Sequence, residues 1–208
     1  MSSRNRLVVI GAGDHCRAVI DLARSTGFDP RVVVDTRFVG QTEEILGVVL
    51  RGNAVLESLE FGDAVAIAIG DNAARRELFD RATTAGWSLP NIVHSTAVVS
   101  RYAQLGRGNI VNAGAVVNAQ VVIGDNCIIN TGAIVDHETQ IESHCHIGPG
   151  VKVASRVKIG EESFLGIGSI VIEQITLDSG VTMGAGAAVV QNVGDISNLV
   201  GVPARSIR

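Results

Sequence analysis

Three histidines in the second half of the chain could carry acid–base or metal chemistry. His137 is followed directly by Glu138, and His144 and His146 come soon after. An imidazole changes charge near neutral pH, so a histidine beside a carboxylate can act as a general base. Imidazole nitrogens are also common metal ligands, so a metal site built from the three histidines is an alternative. In a third interpretation they are exposed polar side chains, which we expect most for His144.

A second set of candidate residues follows the first predicted strand. Residues 6–10 have the sequence of a buried strand, and the segment from Gly11 to His15 separates them from a helical pattern that begins at Cys16. A strand, a glycine-rich turn and a helix can bind phosphate through backbone N–H groups. The dinucleotide-binding fingerprint is incomplete, because Cys16 stands in place of its third glycine. The glycines could alternatively form only a tight turn.

Two further buried strands end in residues that could contact a ligand. Residues 31–34 lead into Asp35, whose carboxylate could bind a ribose or a base edge, and residues 64–69 lead into Gly70. The carboxyl ends of parallel strands meet at one edge of an open α/β sheet, where ligands bind. We therefore predict a small Rossmann-like α/β domain with a parallel sheet over residues 1–90.

The rest of the chain has a period of six residues. From Val93 to Val189 every sixth residue is apolar, and no insertion interrupts the series. This period fits neither a single strand nor an amphipathic helix, and it is the hexapeptide signature of a parallel β-helix. Three hexapeptides form one triangular coil, so residues eighteen apart should stack. We predict this fold over residues 91–208, with the segment after Val189 capping the last coil.

Each hexapeptide also carries small residues at defined positions. Four residues after the apolar position the chain usually has Ala, Cys or Ser, and one residue after it often has Gly, Asn or Asp. We expect the small residues to lie at inward corners, and Gly and Asn to adopt φ > 0 in the turns. Cys127 and Cys145 share the small position, so we predict two core residues stacked on adjacent coils rather than a disulfide.

The composition excludes several classes of protein. The 208 residues carry a net charge of −4, which gives no basic footprint for nucleic acid. No apolar segment is long enough to span a membrane, and the N-terminal sequence lacks the pattern of a signal peptide, so we expect a cytoplasmic protein. Aromatic residues make up only 3%, which suits a core stacked from Val, Ile and Ala.

Together, the hexapeptides, His137-Glu138, the Gly-Ala-Gly-Asp-His segment at 11–15 and the Gly-Val-Pro-Ala-Arg segment at 201–205 resemble a known family. Along its whole length the chain is similar to the bacterial sugar acyltransferases of the sialic acid O-acetyltransferase and bacillosamine/perosamine N-acetyltransferase type. The resemblance implies a left-handed β-helix, a homotrimer, and acetyl-CoA in the groove between neighbouring β-helices, without a metal. It also implies a role in polysaccharide biosynthesis.

The resemblance also implies roles for individual residues. His137 matches the catalytic base of the family, and Glu138 matches the acidic neighbour that orients it. The positions that match contacts to acetyl-CoA are His146, Ser155, Ile167 and Ala185. The positions that match contacts to the sugar nucleotide are Gly13, Asp14, His15, Asp35 and Gly70, together with Asn130, which matches a polar active-site position.

We therefore predict an acetyl-CoA-dependent N-acetyltransferase that acts on the amino group of a nucleotide-linked deoxyamino sugar. His137 would remove the proton of the attacking amine, and a backbone N–H would stabilise the oxyanion. Three alternatives remain at this point. They are O-acetylation of sialic acid or a related sugar, a non-catalytic trimer that binds sugar nucleotides, and a zinc hydrase of the β-helical carbonic anhydrase type.

Overall fold

The N-terminal part of the chain folds into an α/β sandwich. The computed structural model describes residues 5–35, 37, 43–60 and 62–207. The elements of this part are β1 (Asn5–Ile10), α1 (Asp14–Ser25), β2 (Phe28–Val34), β3 (Glu43–Ile45), β4 (Val48–Arg51), α2 (Ala54–Glu57), β5 (Val65–Ile67) and α3 (Asn72–Thr84). The strand order is β3-β4-β2-β1-β5, and all pairs are parallel except the β3–β4 hairpin.

Seventeen two-residue strands and two longer ones form the rest of the chain. They are β6 (Ile92–Val93), β7 (Val98–Val99), β8 (Gln104–Leu105), β9 (Ile110–Val111), β10 (Val116–Val117), β11 (Val122–Ile123), β12 (Ile128–Ile129), β13 (Ile134–Val135), β14 (Gln140–Ile141), β15 (His146–Ile147), β16 (Lys152–Val153), β17 (Lys158–Ile159), β18 (Phe164–Leu165), β19 (Ile170–Val171), β20 (Thr176–Leu177), β21 (Thr182–Met183), β22 (Ala188–Val189), β23 (Asn198–Val200) and β24 (Arg205–Ile207).

These strands stack into three parallel sheets, which are the faces of a prism. The covered face contains β6, β9, β12, β15, β18, β21 and β23, with β24 antiparallel at its end. The apolar face contains β7, β10, β13, β16, β19 and β22, and the polar face contains β8, β11, β14, β17 and β20. Partners are eighteen residues apart, as in the pairing of Ile129 with Ile147. The predicted fold, an α/β domain followed by a left-handed parallel β-helix, is confirmed.

The second residue of each short strand points into the prism and fills its axis. Val135, Ile147 and Val153 are at most 1% exposed. Most of the small residues four positions later are also buried, and Cys127 and Cys145 are free thiols among them, as predicted. Stacked aliphatic side chains therefore form the core, and burying each one fully contributes about 1.5–3 kcal/mol of transfer free energy.

The expected position of the left-handed residues was wrong. Positive φ occurs three residues after the axial aliphatic, as at Asn126, Glu138 and Gly132, and not one residue after it. The glycines one residue after it have a different reason. A Cβ on Gly148 would lie 2.5 Å from the carbonyl oxygen of Leu165 in the next coil. Glycine there allows adjacent coils to approach to strand spacing.

The two parts of the chain share buried surface. Outward-facing Ile110 and Ile128 on the covered face are buried in one cluster with Leu7, Val19 and Ile20 from β1 and α1. α3 lies along the corner that precedes the covered face, where its residues contact the turns of successive coils. The division of the chain near residue 90 stays a prediction. None of the helices in the described part of the chain has the length and hydropathy needed to cross a membrane.

Candidate active site

One cleft lies at the carboxyl edge of the N-terminal sheet. Its volume is about 520 Å³, and its lining includes all five predicted sugar-nucleotide residues of this part of the chain. They are Gly13, Asp14, His15, Asp35 and Gly70. Parallel strands bring them together from three loops, because β1, β2 and β5 are neighbours that end at the same edge.

The first loop presents the start of α1 to this cleft. Gly13 is the N-cap residue, and no side chain caps the first turn. The free N–H groups and the helix dipole make such a terminus suitable for a phosphate group. Gly11 has φ +106, and a Cβ there would lie 2.8 Å from the Ile69 side chain. Glycine is therefore needed at position 11 for both the backbone conformation and the close approach of β5.

Asp35 is held in place by its surroundings. Its carboxylate accepts hydrogen bonds from the Ala12 N–H and the Arg37 N–H, and the Arg37 guanidinium donates to both oxygens at 3.1 and 3.0 Å. These bonds, the Arg37 side chain first, lower the pKa of Asp35 to about 2. Arg37 also lines the cleft and is largely exposed. The only sequence feature that points to Arg37 as a site residue is its position two residues after Asp35.

His15 lines the cleft and is half-buried, and the buried His146 lies beside it. The ring centroids of His15 and His146 are 6.4 Å apart. Burial is the main cause that lowers the pKa of both to about 4, and the nearby Arg75 charge adds to it. Both rings are therefore neutral at neutral pH. Within the part of the chain that the structure describes, the buried Nε2 of His15 has no hydrogen-bond partner and remains available to a ligand.

A second groove of about 520 Å³ continues from Gly70 along the covered face. His146, Phe164 and Asp71 line it. The His146 Nδ1 lies 3.2 Å from the Gly70 carbonyl oxygen, and its Nε2 lies 3.1 Å from the Asn130 amide nitrogen. His146, expected from the resemblance to contact acetyl-CoA, and Asn130 thus lie beside the predicted sugar-nucleotide residues.

His137 and Glu138 lie on a different corner, between the apolar and polar faces. The His137 Nδ1 is 3.2 Å from a Glu138 carboxylate oxygen, and about half of each side chain is exposed. The Asp136 carboxylate accepts a hydrogen bond from the His137 N–H at 2.8 Å. This bond and one from Asn118 lower the pKa of Asp136. The turn therefore fixes the backbone of His137 and leaves its side chain half exposed.

A single chain does not bring His137 to the cleft. The N-terminal elements pack on the covered face and on the corner that carries His144. The whole polar face lies between this corner and His137. Ser155 lies one coil beyond His137, because their strands β13 and β16 are paired. Ile167 and Ala185 lie on the third corner, between the covered and apolar faces, and both are exposed.

Three of the predicted acetyl-CoA positions share one backbone feature. Ser155, Ile167 and Ala185 follow Ala154, Gly166 and Gly184, which have no side-chain oxygen to cap the next N–H. At Asn130 and Asp136, by contrast, the side chain accepts a bond from the following N–H. The N–H groups of Ser155, Ile167 and Ala185 make no hydrogen bond among the described residues. They can therefore bind the amide-rich arm of coenzyme A.

Comparison with known proteins identifies the family. Residues 6–82 match the PglD N-terminal domain, and residues 120–155 match the bacterial transferase hexapeptide (six repeats). A mutant of perosamine N-acetyltransferase from Caulobacter crescentus, in complex with CoA and GDP-perosamine, is 37% identical with a TM-score of 0.90, over 97% of this chain and 96% of that one. The chain belongs to the PglD-type hexapeptide acetyltransferases.

Other solved structures are also similar to the chain. The acetyltransferase domain of PglB from Neisseria gonorrhoeae, in complex with acetyl coenzyme A, is 36% identical with a TM-score of 0.91, over 99% of this chain and all of that one. WeeI from Acinetobacter baumannii shares the fold at 21% identity and a TM-score of 0.88, over 97% and 99%. No curated protein matched. The predicted family, reaction, enzyme class and co-substrate are confirmed.

One expectation for this PglD-type acetyltransferase was wrong. His144 is not an exposed corner residue: it is 6% exposed and packs edge-on against Phe79 of α3. Its Nδ1 lies 2.8 Å from the Asn126 amide nitrogen. The burial comes from α3, which is distant in sequence. Among the described residues, no three His, Cys, Asp or Glu side chains are close enough together to hold a metal ion.

Proposed function

We propose that the chain transfers the acetyl group of acetyl-CoA to the amino group of a nucleotide-linked deoxyamino sugar, in a site shared between two copies of a homotrimer. The strongest support is the match over nearly the full length to N-acetyltransferases in complex with CoA or acetyl-CoA. The cleft beside α1 supports the same substrate class. It offers helix N–H groups for phosphate, Asp35 for ribose or base, and the unpaired His15 Nε2 for the sugar.

His137 is the general base of the proposed reaction. The amine nitrogen attacks the thioester carbon, the C–N bond forms, and the C–S bond breaks. His137 takes the proton released by the amine and returns it to the leaving thiolate, so that the products are the amide and free coenzyme A. Glu138 holds the imidazole and stabilises its charged form. The Ser155 N–H, one coil away, is the proposed donor to the oxyanion.

The surface of the prism supports a second copy beside His137. The outward residues of the apolar face are mainly aliphatic, and Val98, Ile134 and Ile170 are 62%, 36% and 42% exposed. Apart from Lys152, which lies between Ile134 and Ile170, this row of outward residues is aliphatic, and an exposed aliphatic row of this kind marks a protein interface. The two corners that border this face carry His137 and Ile167. A cyclic trimer through the apolar face would bring them together from different copies.

We also propose a cytoplasmic location and a role in polysaccharide biosynthesis. The three cysteines of the chain are buried free thiols, as expected in a reducing compartment. Acetylation of an amino sugar while it is linked to a nucleotide prepares it for a later glycosyl transfer, which is the class of reaction that consumes such a product.

Replacement of His137 tests the proposed base. We expect His137→Ala to lower kcat with acetyl-CoA and GDP-perosamine by about 10²- to 10⁴-fold, because a positioned base contributes a factor of that size. The Kd for CoA, measured by calorimetry, should change little. His94→Ala in the first coil, distant from the proposed site, serves as the control and should keep normal turnover.

Near-normal turnover of His137→Ala would contradict the assignment. The same assay with free sialic acid in place of the amino-sugar nucleotide separates the two acetyl acceptors. Transfer to sialic acid alone would replace N-acetylation with O-acetylation, and no transfer to either, with both ligands bound, would favour a binding protein.

A further inference from the structure

A fully buried arginine joins the two parts of the chain. Arg75 of α3 is 1% exposed. Its guanidinium donates to the carbonyls of Ile69 and Gly70, at the end of β5, at 3.2 and 3.1 Å. It also donates to the Asn72 side chain and to main-chain carbonyls of the β-helix, those of Asn126, His144 and Cys145. All of these acceptors are neutral oxygens.

A buried cation without a carboxylate partner is costly. Removing a charged group from water costs several kcal/mol even after the protein relaxes. Burial lowers the pKa of Arg75 to about 10, so the side chain is still charged at neutral pH. An apolar residue could fill the same space between α3 and the β-helix without this cost. The charge at this position therefore requires an explanation other than packing.

The Gly70 carbonyl connects Arg75 to the site. This oxygen accepts from Arg75 at 3.1 Å and is also 3.2 Å from the His146 Nδ1. A carbonyl oxygen only accepts hydrogen bonds, so the proton of His146 must be on Nδ1. The Asn130 amide orientation agrees, because its oxygen accepts from the Thr131 N–H at 2.8 Å and its nitrogen is left to donate to the His146 Nε2.

We propose that Arg75 is a positioning residue: it holds the Gly70 carbonyl against His146 and so keeps the His146 ring oriented, with its proton on Nδ1. This inference rests on the proposed function, in which His146 borders the acceptor groove. It assigns the two histidines different tasks. His146 is a fixed hydrogen-bonding group beside the substrate, and His137 alone exchanges the proton.

The charges around His146 support this assignment. Burial lowers the pKa of His146 most, and the hydrogen bond to the Gly70 carbonyl opposes this shift. Arg75 faces the ring from α3 and His15 from α1, and both lower its pKa further. Asp71 and Glu162 line the neighbouring groove from the loop before α3 and from the His144 corner. The tautomer follows from the hydrogen-bond geometry alone, and the charge of Arg75 adds to the preference for a neutral ring.

Nuclear magnetic resonance on the free protein tests the inference without any activity assay. Long-range 1H–15N spectra of histidine-labelled protein report the tautomer and the titration of each ring. In the unmodified protein we expect His146 as the Nδ1–H tautomer, neutral at pH 6. In Arg75→Met we expect mixed tautomers and a titration shifted upward. Arg76→Met, the exposed neighbour on α3, is the matched control and should leave both signals unchanged.

The kinetics give an independent readout. Misplacement of a group in the site by about 1 Å costs up to about 10²-fold in rate, so kcat of Arg75→Met should fall by about 10- to 100-fold. The KM for acetyl-CoA should change little, and the acid limb of the kcat–pH profile should gain a second ionisation. Arg75→Lys, which keeps the charge and some donors, should recover part of kcat.

Two results would overturn the inference. One is the Nε2–H tautomer or a charged His146 at pH 6 in the unmodified protein, which decides the matter even if Arg75→Met does not fold. The other is an unchanged His146 tautomer and titration in folded Arg75→Met. If the spectra agree but no amino sugar is acetylated, the proposed function fails and the positioning geometry stands.

Discussion

At the scale of single residues, burial separates the roles of the histidines. His146 is buried and His15 is half-buried, and the pKa of each is lowered to about 4, so neither exchanges protons readily at neutral pH. His137 is half exposed beside the Glu138 carboxylate. An exposed imidazole with a carboxylate neighbour suits proton transfer, and buried neutral imidazoles suit fixed hydrogen bonds.

The lowered pKa values of His15 and His146 predict that the stability of the protein depends on pH. The ordinary pKa of 6.5 applies to His15 and His146 in the unfolded chain, and it falls to about 4 on folding. Between these values the unfolded state binds more protons, so stability decreases as the pH falls from 6.5 towards 4. We expect the free energy of unfolding in urea to be lower at pH 5 than at pH 7 by about 1–2 kcal/mol for each histidine.

The variant His15→Asn isolates one contribution, because Asn does not titrate. It should lose part of the pH dependence, and the lowered pKa values of His146 and His144 should account for the rest. Equal stability of the unmodified protein at pH 5 and pH 7 would mean that these rings are not buried and neutral in the folded state.

The sequence was informative for residues whose role depends on local context. His137 with Glu138, and the residues at the strand ends, are recognisable from spacing alone. Arg75 and the burial of His144 were not predictable, because both depend on α3 packing against turns that are distant in sequence. From sequence, a charged residue in a helical segment is expected to be exposed, because the surface that packs against it is not known.

At the scale of elements, two different demands govern each turn of the β-helix. One position has positive φ, and it accepts side chains, as at Glu138 and His144. A second position directly follows the aliphatic residue that fills the axis of the prism. It has little space for a Cβ when the next coil is close, as at Gly148. The hexapeptide period predicts where the turns are, but steric contact between coils determines which position requires glycine.

Substitution of two glycines distinguishes these demands. We expect Gly148→Ala to destabilise the protein by about 1–3 kcal/mol, because the new Cβ would overpack against the Leu165 carbonyl. Gly132 has φ +65 and nothing within 4 Å of a Cβ, so Gly132→Asn should cost less than about 1 kcal/mol. Urea unfolding curves of the two variants provide the measurement. A larger loss for Gly132→Asn would contradict this account.

The regular elements were also the easier ones to predict. Seventeen short strands follow the six-residue period, whereas the β3–β4 hairpin was missed. Its strands are short, and β3 begins with two glutamates, so neither alternation nor hydrophobicity marks it. Its turn, Leu46-Gly47 with φ of 49 and 72, is of the kind that favours tight hairpins, but only glycine was a sequence signal there.

At the scale of the whole molecule, the position of His137 is the central observation. The cleft at the carboxyl edge of the N-terminal sheet and His146 lie on the side of the prism that the N-terminal elements cover, and His137 lies beyond the polar face. One chain therefore holds both halves of the proposed site but does not join them. A second copy seated on the apolar face would supply the missing half.

Subunit mixing tests this shared site most directly. His137→Ala removes the base, and Gly13→Glu places a negative side chain at the exposed start of α1, which should prevent binding of the sugar nucleotide. Each variant alone should be inactive. His137→Ala should still bind GDP-perosamine, and Gly13→Glu should still bind CoA, which shows that each has folded.

When the two inactive variants are co-expressed in equal amounts, some pairs of neighbouring copies combine an intact His137 with an intact cleft. Random assembly of a cyclic trimer gives about one quarter of such sites, so we predict about one quarter of normal acetyl transfer. Mixed trimers that remain inactive, with both ligands bound, would contradict a site shared between copies.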